Sequence, residues 1–248
     1  MLYLIGLGIG SEKDISVKGL EAARECDEVY VELYTARWPG DLDALSKMLG
    51  KEISILGRSD VEENVKKLVK RGKSRDIAVL VAGDPLSATT HLNILLEARE
   101  QKVETDVIHS SSILTAVAET GLSLYSFGRT VTIVRSQKGY APTSFYDLAL
   151  KNRELEMHTL FLLDVDMDTG EGLFVLMDIG KEKKQPLVTS DTKLVAARGL
   201  GSPSAVIRYG KALDLLKEPL DPPAVLILPG KLHFLEKEVL ESFSERPA

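Results

Sequence analysis

Apolar positions in the first half of the chain gather into short runs rich in Val, Ile and Leu, at residues 2–7, 29–33, 53–56, 77–82 and 105–108. Runs of this length and composition read as buried strands. The spacing between them is helical. Ser16 stands where a cap would open a helix over Val17–Glu25. Val61, Val65, Leu68 and Val69 form one apolar stripe, and Leu92, Leu95, Leu96 and Ala98 form another. Strand alternating with helix predicts an α/β fold whose first sheet is mainly parallel and covered on both faces.

The second half is patterned differently. Residues 113–120 read as a short helix ended by Gly121. Strand-like runs follow at 130–134, 159–165, 194–197, 205–209 and 224–228, with fewer helical stretches between them, of which 146–151 and 234–243 are the clearest. A mixed sheet is expected there. The change of pattern near residues 110–130 suggests two domains, 1–112 and 113–248. The charged stretch Lys181-Glu182-Lys183-Lys184 reads as a solvated loop.

Composition narrows the function classes. With 44% apolar and 27% charged residues, the 248-residue chain has the balance of a globular protein with a substantial core. A net charge of -6 argues against a general nucleic-acid or anionic-membrane binder. The single cysteine, Cys26, excludes an intramolecular disulfide framework and reads as a core filler. Four scattered histidines, without helical His-x-x-x-His spacing, give no metal-site signature. The apolar start MLYLIGLGIG lacks a basic leader and is broken by glycines. No segment reaches the roughly 18 consecutive apolar residues of a membrane span. A cytoplasmic protein is expected.

Three turns at strand ends carry the candidate chemistry. In VLVAGDPLSATTH (79–91) a buried strand stops at Gly83-Asp84-Pro85, and small hydroxylated residues follow. The proline biases Asp84 to an extended backbone, so its carboxylate is expected to point out of the strand end, next to the exposed amides of the Leu86–Thr90 turn. Asp-Pro is equally ordinary turn chemistry. Gly6-Leu7-Gly8-Ile9-Gly10 follows the first strand. It suggests a dinucleotide fold with Glu32, about 22 residues on, as the ribose acid. The spacing fits poorly, and a polar bridge, residues 11–15, separates the glycines from the next helix, so a phosphate would not sit on that helix. Ser110-Ser111-Ser112 precedes a helix, where serines cap amides or bind a polar ligand. Together the turns describe a pocket rim at the carboxyl edge of a parallel sheet. No Ser-His-Asp order, paired-carboxylate motif or P-loop lysine accompanies them. Group transfer from a pre-activated donor suits such a site, because positioning alone supplies roughly 7–11 kcal/mol of a barrier.

These motifs, GLGIG with DISVKGLEAARECDEVYVE, AGDP, and VIHSSSILTAVAETGL, resemble those of the tetrapyrrole methylase superfamily of S-adenosylmethionine-dependent methyltransferases. GDPLSATTH, SFGRTVTI, PTSFYDLALKNRELEMHTLFLLDVD and LILPGKLHFLE make the chain similar to that superfamily's diphthamide-biosynthesis branch. The resemblance implies a cytosolic homodimer of two-domain α/β subunits with the cofactor, S-adenosylmethionine, in a cleft between domains. It also implies methylation of the amino group of the modified histidine of translation elongation factor 2. Motif by motif, it assigns cofactor contacts to Ile9, Asp84, Ser87, Ser112 and Ile113, and to Leu163, Leu200 and Ala224, whose alternative is core packing. It assigns no catalytic residue; His109 lies near the pocket by sequence. One departure stands out: where relatives carry a longer segment with a helix after Asp164, residues 167–186 read as short and glycine-rich. A corrinoid or porphyrin-precursor methyltransferase, with Arg129 and Arg135 as candidate anchors, and a non-catalytic nucleotide-binding protein using Glu32 are the alternatives.

Overall fold

A computed structural model describes residues 1–135 and 142–244. The chain divides into two compact units, Met1–Ala116 with Gly201–Pro203, and Val117–Leu200 with Ser204–Ala248.

In the first unit the elements run β1 (Leu2–Gly6), α1 (Val17–Glu25), β2 (Glu28–Glu32), α2 (Leu42–Leu49), β3 (Ile53–Leu56), α3 (Arg58–Glu62), α4 (Val65–Arg71), β4 (Ile77–Val81), α5 (Leu92–Gln101), β5 (Thr105–Ile108) and α6 (Ile113–Ala116). All strands are parallel, in the order β3-β2-β4-β1-β5. The period of two sorts side chains to opposite faces. Leu2, Leu4, Ile77, Val79 and Val81 pack with the residues of α3, α4 and α5. Ile5, Leu7, Ala78 and Leu80 pack with those of α1 and α2. The central strand, β4, is buried at every position, which explains its unbroken apolar run.

Local chemistry accounts for the ends of these elements. The Ser16 side chain accepts from the Gly19 N–H at 3.0 Å and caps α1. A Cβ on Gly19 would stand 2.7 Å from Ile5 Cγ2, so glycine lets the helix lie close on β1. Cys26 closes α1 in the core, and burial pushes its thiol up to about 11. The Val61–Val69 stripe is carried by two short helices rather than one. The break falls at Asn64, whose side-chain amide donates to Ser59 O.

The second unit continues with a 3-10 turn over Val117–Thr120, another over Leu124–Ser126, and then β6 (Val131–Ile133), α7 (Ser144–Glu154), β7 (Thr159–Leu163), α8 (Thr169–Glu182), β8 (Lys193–Arg198), β9 (Val206–Lys211), α9 (Ala212–Leu215), β10 (Ala224–Leu228) and α10 (Phe234–Ser242). Its sheet is mixed, in the order β6-β7-β10-β8-β9, with only β6 and β7 parallel. The Glu236 carboxylate at the start of α10 accepts from the Ser123 and His233 amides, both at 2.8 Å. It also faces buried His158, 3.3 Å away. These contacts tie α10 to the chain that enters the sheet.

The sequence misleads at residues 167–186. Within them Thr169–Glu182 form the 14-residue helix α8, which the glycines had concealed. The Asp168 side chain caps it by accepting from the Glu171 N–H at 2.8 Å. Its glycines serve packing: a Cβ on Gly172 would lie 2.8 Å from Leu163 Cδ2, and one on Gly180 would lie 2.7 Å from Tyr146 Oη. Each glycine costs a helix about 1 kcal/mol against alanine, which close packing on β7 and α7 offsets. The Lys181–Lys184 stretch is solvated as expected, but only its second half is a turn: Lys181 and Glu182 end α8, where positive charge suits the helix C-terminus, and Lys183 and Lys184 follow it.

Fully buried Tyr146 joins α7 to the chain beyond α8. Its hydroxyl accepts from the Leu187 N–H at 2.6 Å and donates to the Gln185 carbonyl at 2.9 Å. Tyr146→Phe orphans both groups, so we expect a loss of about 1–3 kcal/mol of unfolding free energy. Urea titration followed by circular dichroism measures it, and an unchanged midpoint would refute this account of the helix pair.

Candidate functional site

The loops leaving β1, β4 and β5 meet at the carboxyl edge of the first sheet, because these strands are neighbours in the order β4-β1-β5. The loops after β1 and β4 are stitched together. The Gly8 N–H donates to Gly83 O at 3.1 Å, and the Gly83 N–H donates to Gly8 O at 2.9 Å. Both glycines have φ of 73°, a left-handed conformation that side chains strain. A Cβ on Gly6 would lie 2.6 Å from Gly83 O and 2.7 Å from Ser110 Cβ. The glycine cluster therefore serves the mutual approach of three loops.

Nor does it cradle a phosphate on a helix. Asp14 Oδ2 accepts from the amides of Gly10, at 2.6 Å, and Ser11, at 3.2 Å. Ser11 and Asp14 form a capping box on the short turn Glu12–Asp14. Glu32 is unavailable to a ribose. It has no solvent exposure, and its Oε1 accepts from the Thr35 N–H and its Oε2 from the Thr35 hydroxyl, both at 2.7 Å. His91 Nε2 lies 3.0 Å from the same Oε2. Burial works to raise the Glu32 pKa, but His91 and Thr35 outweigh it and hold the group below the usual carboxylate range.

Asp84 lies against the Leu86 amide as expected but does not point outward. Its carboxylate turns inward, at 6% exposure. Oδ1 accepts from the Leu86 N–H and the Ser87 hydroxyl, both at 3.0 Å. Oδ2 accepts from the Ser110 N–H at 3.3 Å and lies 2.7 Å from His109 Nδ1. Four donors draw the carboxylate back into the loops. Burial alone would raise its pKa; the Leu86 amide, His109, Ser87 and the Ser110 amide together hold it below the ordinary aspartate value.

The other candidates of this unit surround it. Half-buried Ile9 covers Gly83, its Cγ2 3.5 Å from where a Cβ would stand. Ser87 is half-buried and bonded to Asp84. Ser112 accepts from the Leu114 N–H at 3.0 Å and opens α6. Ile113 is half-buried, and Ser111 beside it is exposed. The structure thus gathers Ile9, Asp84, Ser87, Ser112 and Ile113 on one sheet edge.

Leu163, Leu200 and Ala224 belong to the second unit and gather on an edge of its own sheet. Ala224 pairs with Arg198, two residues before Leu200. Val225 pairs with Leu162, which puts Ala224 beside Leu163. Leu200 is buried at 3% exposure, and Leu163 packs on the core. Arg135, a candidate anchor for a polycarboxylate, is held by Glu171, at 2.6 Å, and by Asp166 O, at 2.7 Å.

The sequence reading missed how Thr89 and His91 complete the turn. Thr89 Oγ1 lies 2.5 Å from His91 Nδ1. Ala88, just before, has φ of 57°, a strained value for a residue with a side chain. The Thr-Thr-His that follows the Asp-Pro turn was the available signal.

This frame of loops has known counterparts. A profile of the tetrapyrrole (corrin/porphyrin) methylases matches residues 1–212. The chain belongs to the tetrapyrrole methylase family. Among its relatives, this methylase is 39% identical to a diphthine synthase of Methanocaldococcus jannaschii, with 99% of each chain covered. It is 40% identical to one of Methanothermobacter thermautotrophicus, covering 100% of this chain and 97% of the other. The crystal structure of a diphthine synthase superposes with a TM-score of 0.89 at 37% identity, over 99% of this chain and 96% of that one. These full-length alignments include α8.

For this methylase, Asp84→Asn places an NH2 group among hydrogen-bond donors. We expect about 1–3 kcal/mol of destabilisation at neutral pH. Because the folded-state pKa of Asp84 is depressed, its stabilisation is present above the ordinary aspartate value and is lost as pH falls through the depressed one. The gap between parent and variant should therefore narrow below about pH 4. Denaturant unfolding at neutral and acid pH measures it, and a gap of equal size at both would contradict the assignment.

Proposed function

We propose that this protein transfers methyl groups from S-adenosylmethionine to the amino group of the modified histidine of translation elongation factor 2, the step that forms diphthine. The observation that carries the reading is likeness over essentially the whole chain, both sheets included, to diphthine synthases. The site chemistry supports it. Ile9 and Ile113 offer half-buried apolar surface to an adenosyl group, beside the hydroxyls of Ser87 and Ser112. The ionised Asp84 beneath the loop biases the local potential toward a cation such as a sulfonium or an α-ammonium group. Leu163, Leu200 and Ala224 supply apolar and backbone contacts in the second unit.

S-adenosylmethionine supplies a methyl already activated on a sulfonium. The protein's own task is to orient the amine and exclude water. A homodimer working in the cytoplasm completes the proposal. A tetrapyrrole-precursor substrate is less well supported, since Arg135 is engaged by Glu171 and Asp166. Glu32, the acid a dinucleotide would need, is consumed internally.

Calorimetric titration with S-adenosylmethionine, S-adenosylhomocysteine and NAD should show binding of the first two and not the third. Labelled methyl should then appear on elongation factor 2 carrying the unmethylated histidine adduct. Preference for NAD, or transfer to a tetrapyrrole precursor and not to the factor, would overturn the proposal.

A further inference from the structure

Methyl transfer to an amine needs the nitrogen lone pair, and an ammonium has none. Some group must take its proton. Glu32, His91 and Thr89 form a line at the sheet edge that fits this task. Glu32 and His91 have no solvent exposure, whereas Thr89 is half-buried, in the loop that carries Ser87. Glu32 Oε2 is 3.0 Å from His91 Nε2, and His91 Nδ1 is 2.5 Å from Thr89 Oγ1. At 3.0 Å from Glu32 Oε2, His91 Nε2 completes no hydrogen bond in this structure, and catalytic contacts often tighten only when substrate binds. Thr35 donates to both Glu32 oxygens and fixes the carboxylate. The left-handed backbone at Ala88 comes immediately before Thr89, whose hydroxyl meets the imidazole.

The tautomer follows from the partners. An ionised carboxylate only accepts, so Nε2 carries the hydrogen and Nδ1 is the acceptor. The Thr89 hydroxyl therefore donates to Nδ1 and keeps its lone pairs for a donor on the substrate side. This is the order of acid, imidazole and hydroxyl found in nucleophilic triads, here with the hydroxyl placed to receive a proton.

We propose that Thr89 is the catalytic group that deprotonates the acceptor amine, with His91 and Glu32 as positioning residues behind it; this rests on the methyltransferase reading above. The ammonium N–H proton passes to Thr89 Oγ1 as the Thr89 proton passes to His91 Nδ1. The imidazolium so formed faces the Glu32 carboxylate. The amine keeps the electron pair that forms the new N–C bond, while the pair of the broken C–S bond stays on sulfur. The imidazolium later returns its proton through the same hydroxyl to water.

The test compares the parent protein with Thr89→Val and Thr89→Ser. Calorimetry with S-adenosylhomocysteine should give affinities within about twofold of the parent for both variants. Single-turnover methylation of elongation factor 2 should fall about 10²-fold in Thr89→Val, and Thr89→Ser should recover most of it. Nitrogen NMR of histidine-labelled protein should show His91 as the Nε2–H tautomer, with the Nδ1 resonance shifted in Thr89→Val. A parental rate in Thr89→Val overturns the relay alone. So does loss of affinity and rate together in that variant, or an Nδ1–H tautomer. A parent that binds S-adenosylmethionine yet never methylates the factor overturns the substrate reading, and the relay falls with it.

Discussion

Asp84 is the constraint on which the first unit's functional edge depends. It lies three residues past the end of β4, the strand buried over its whole length, and receives donors from its own loop and from the loop after β5. β4 and β5 are not neighbours; β1 lies between them. The carboxylate therefore draws together two loops on either side of a third, and the Gly8–Gly83 bridge binds that third loop to the first. Burial by itself would favour the neutral acid. Four donors reverse that preference and keep the group ionised.

The same pairing of imidazole with carboxylate recurs. His109 faces Asp84, His91 faces Glu32 and His158 faces Glu236. Removing one partner of a buried pair costs several kcal/mol because it strands the other. The settings differ, and so do the consequences. The pair of His158 and Glu236 is enclosed within the second unit and anchors a helix. The pair of His109 and Asp84 links two loops, with the imidazole largely exposed. In the His91 pair it is the imidazole itself that meets a half-buried hydroxyl, that of Thr89, and the proposed relay rests on that contact.

Rigid strands suit the chemistry proposed. A sulfonium donor needs little activation, so the rate rests on where the amine is held and whether its proton has somewhere to go. Loops fixed by buried carboxylates at the end of a parallel sheet supply fixed positions. A second sheet of different topology presents Leu163, Leu200 and Ala224 together by strand register, although they lie far apart in the chain.

Much of this was legible in the chain. Strands of both sheets, the parallel character of the first and the mixed character of the second follow from hydrophobic period, since burial on one or two faces writes itself locally. α2 was not recognised although it buries Leu45 and Leu49 on one face, α9 is a single turn too short to show a period, and the glycines of α8 concealed a helix because their reason is contact with Leu163 and Tyr146. The motifs at the ends of β1, β4 and β5 singled out loops that meet at one edge of the sheet. They did not reveal that Asp84 turns inward or that Glu32 is consumed by Thr35 and His91. Strand positions and the family were thus determined by the sequence itself. Side-chain roles were decided by the tertiary structure, because each depends on which donors from distant segments reach a carboxylate first, and no local period encodes that.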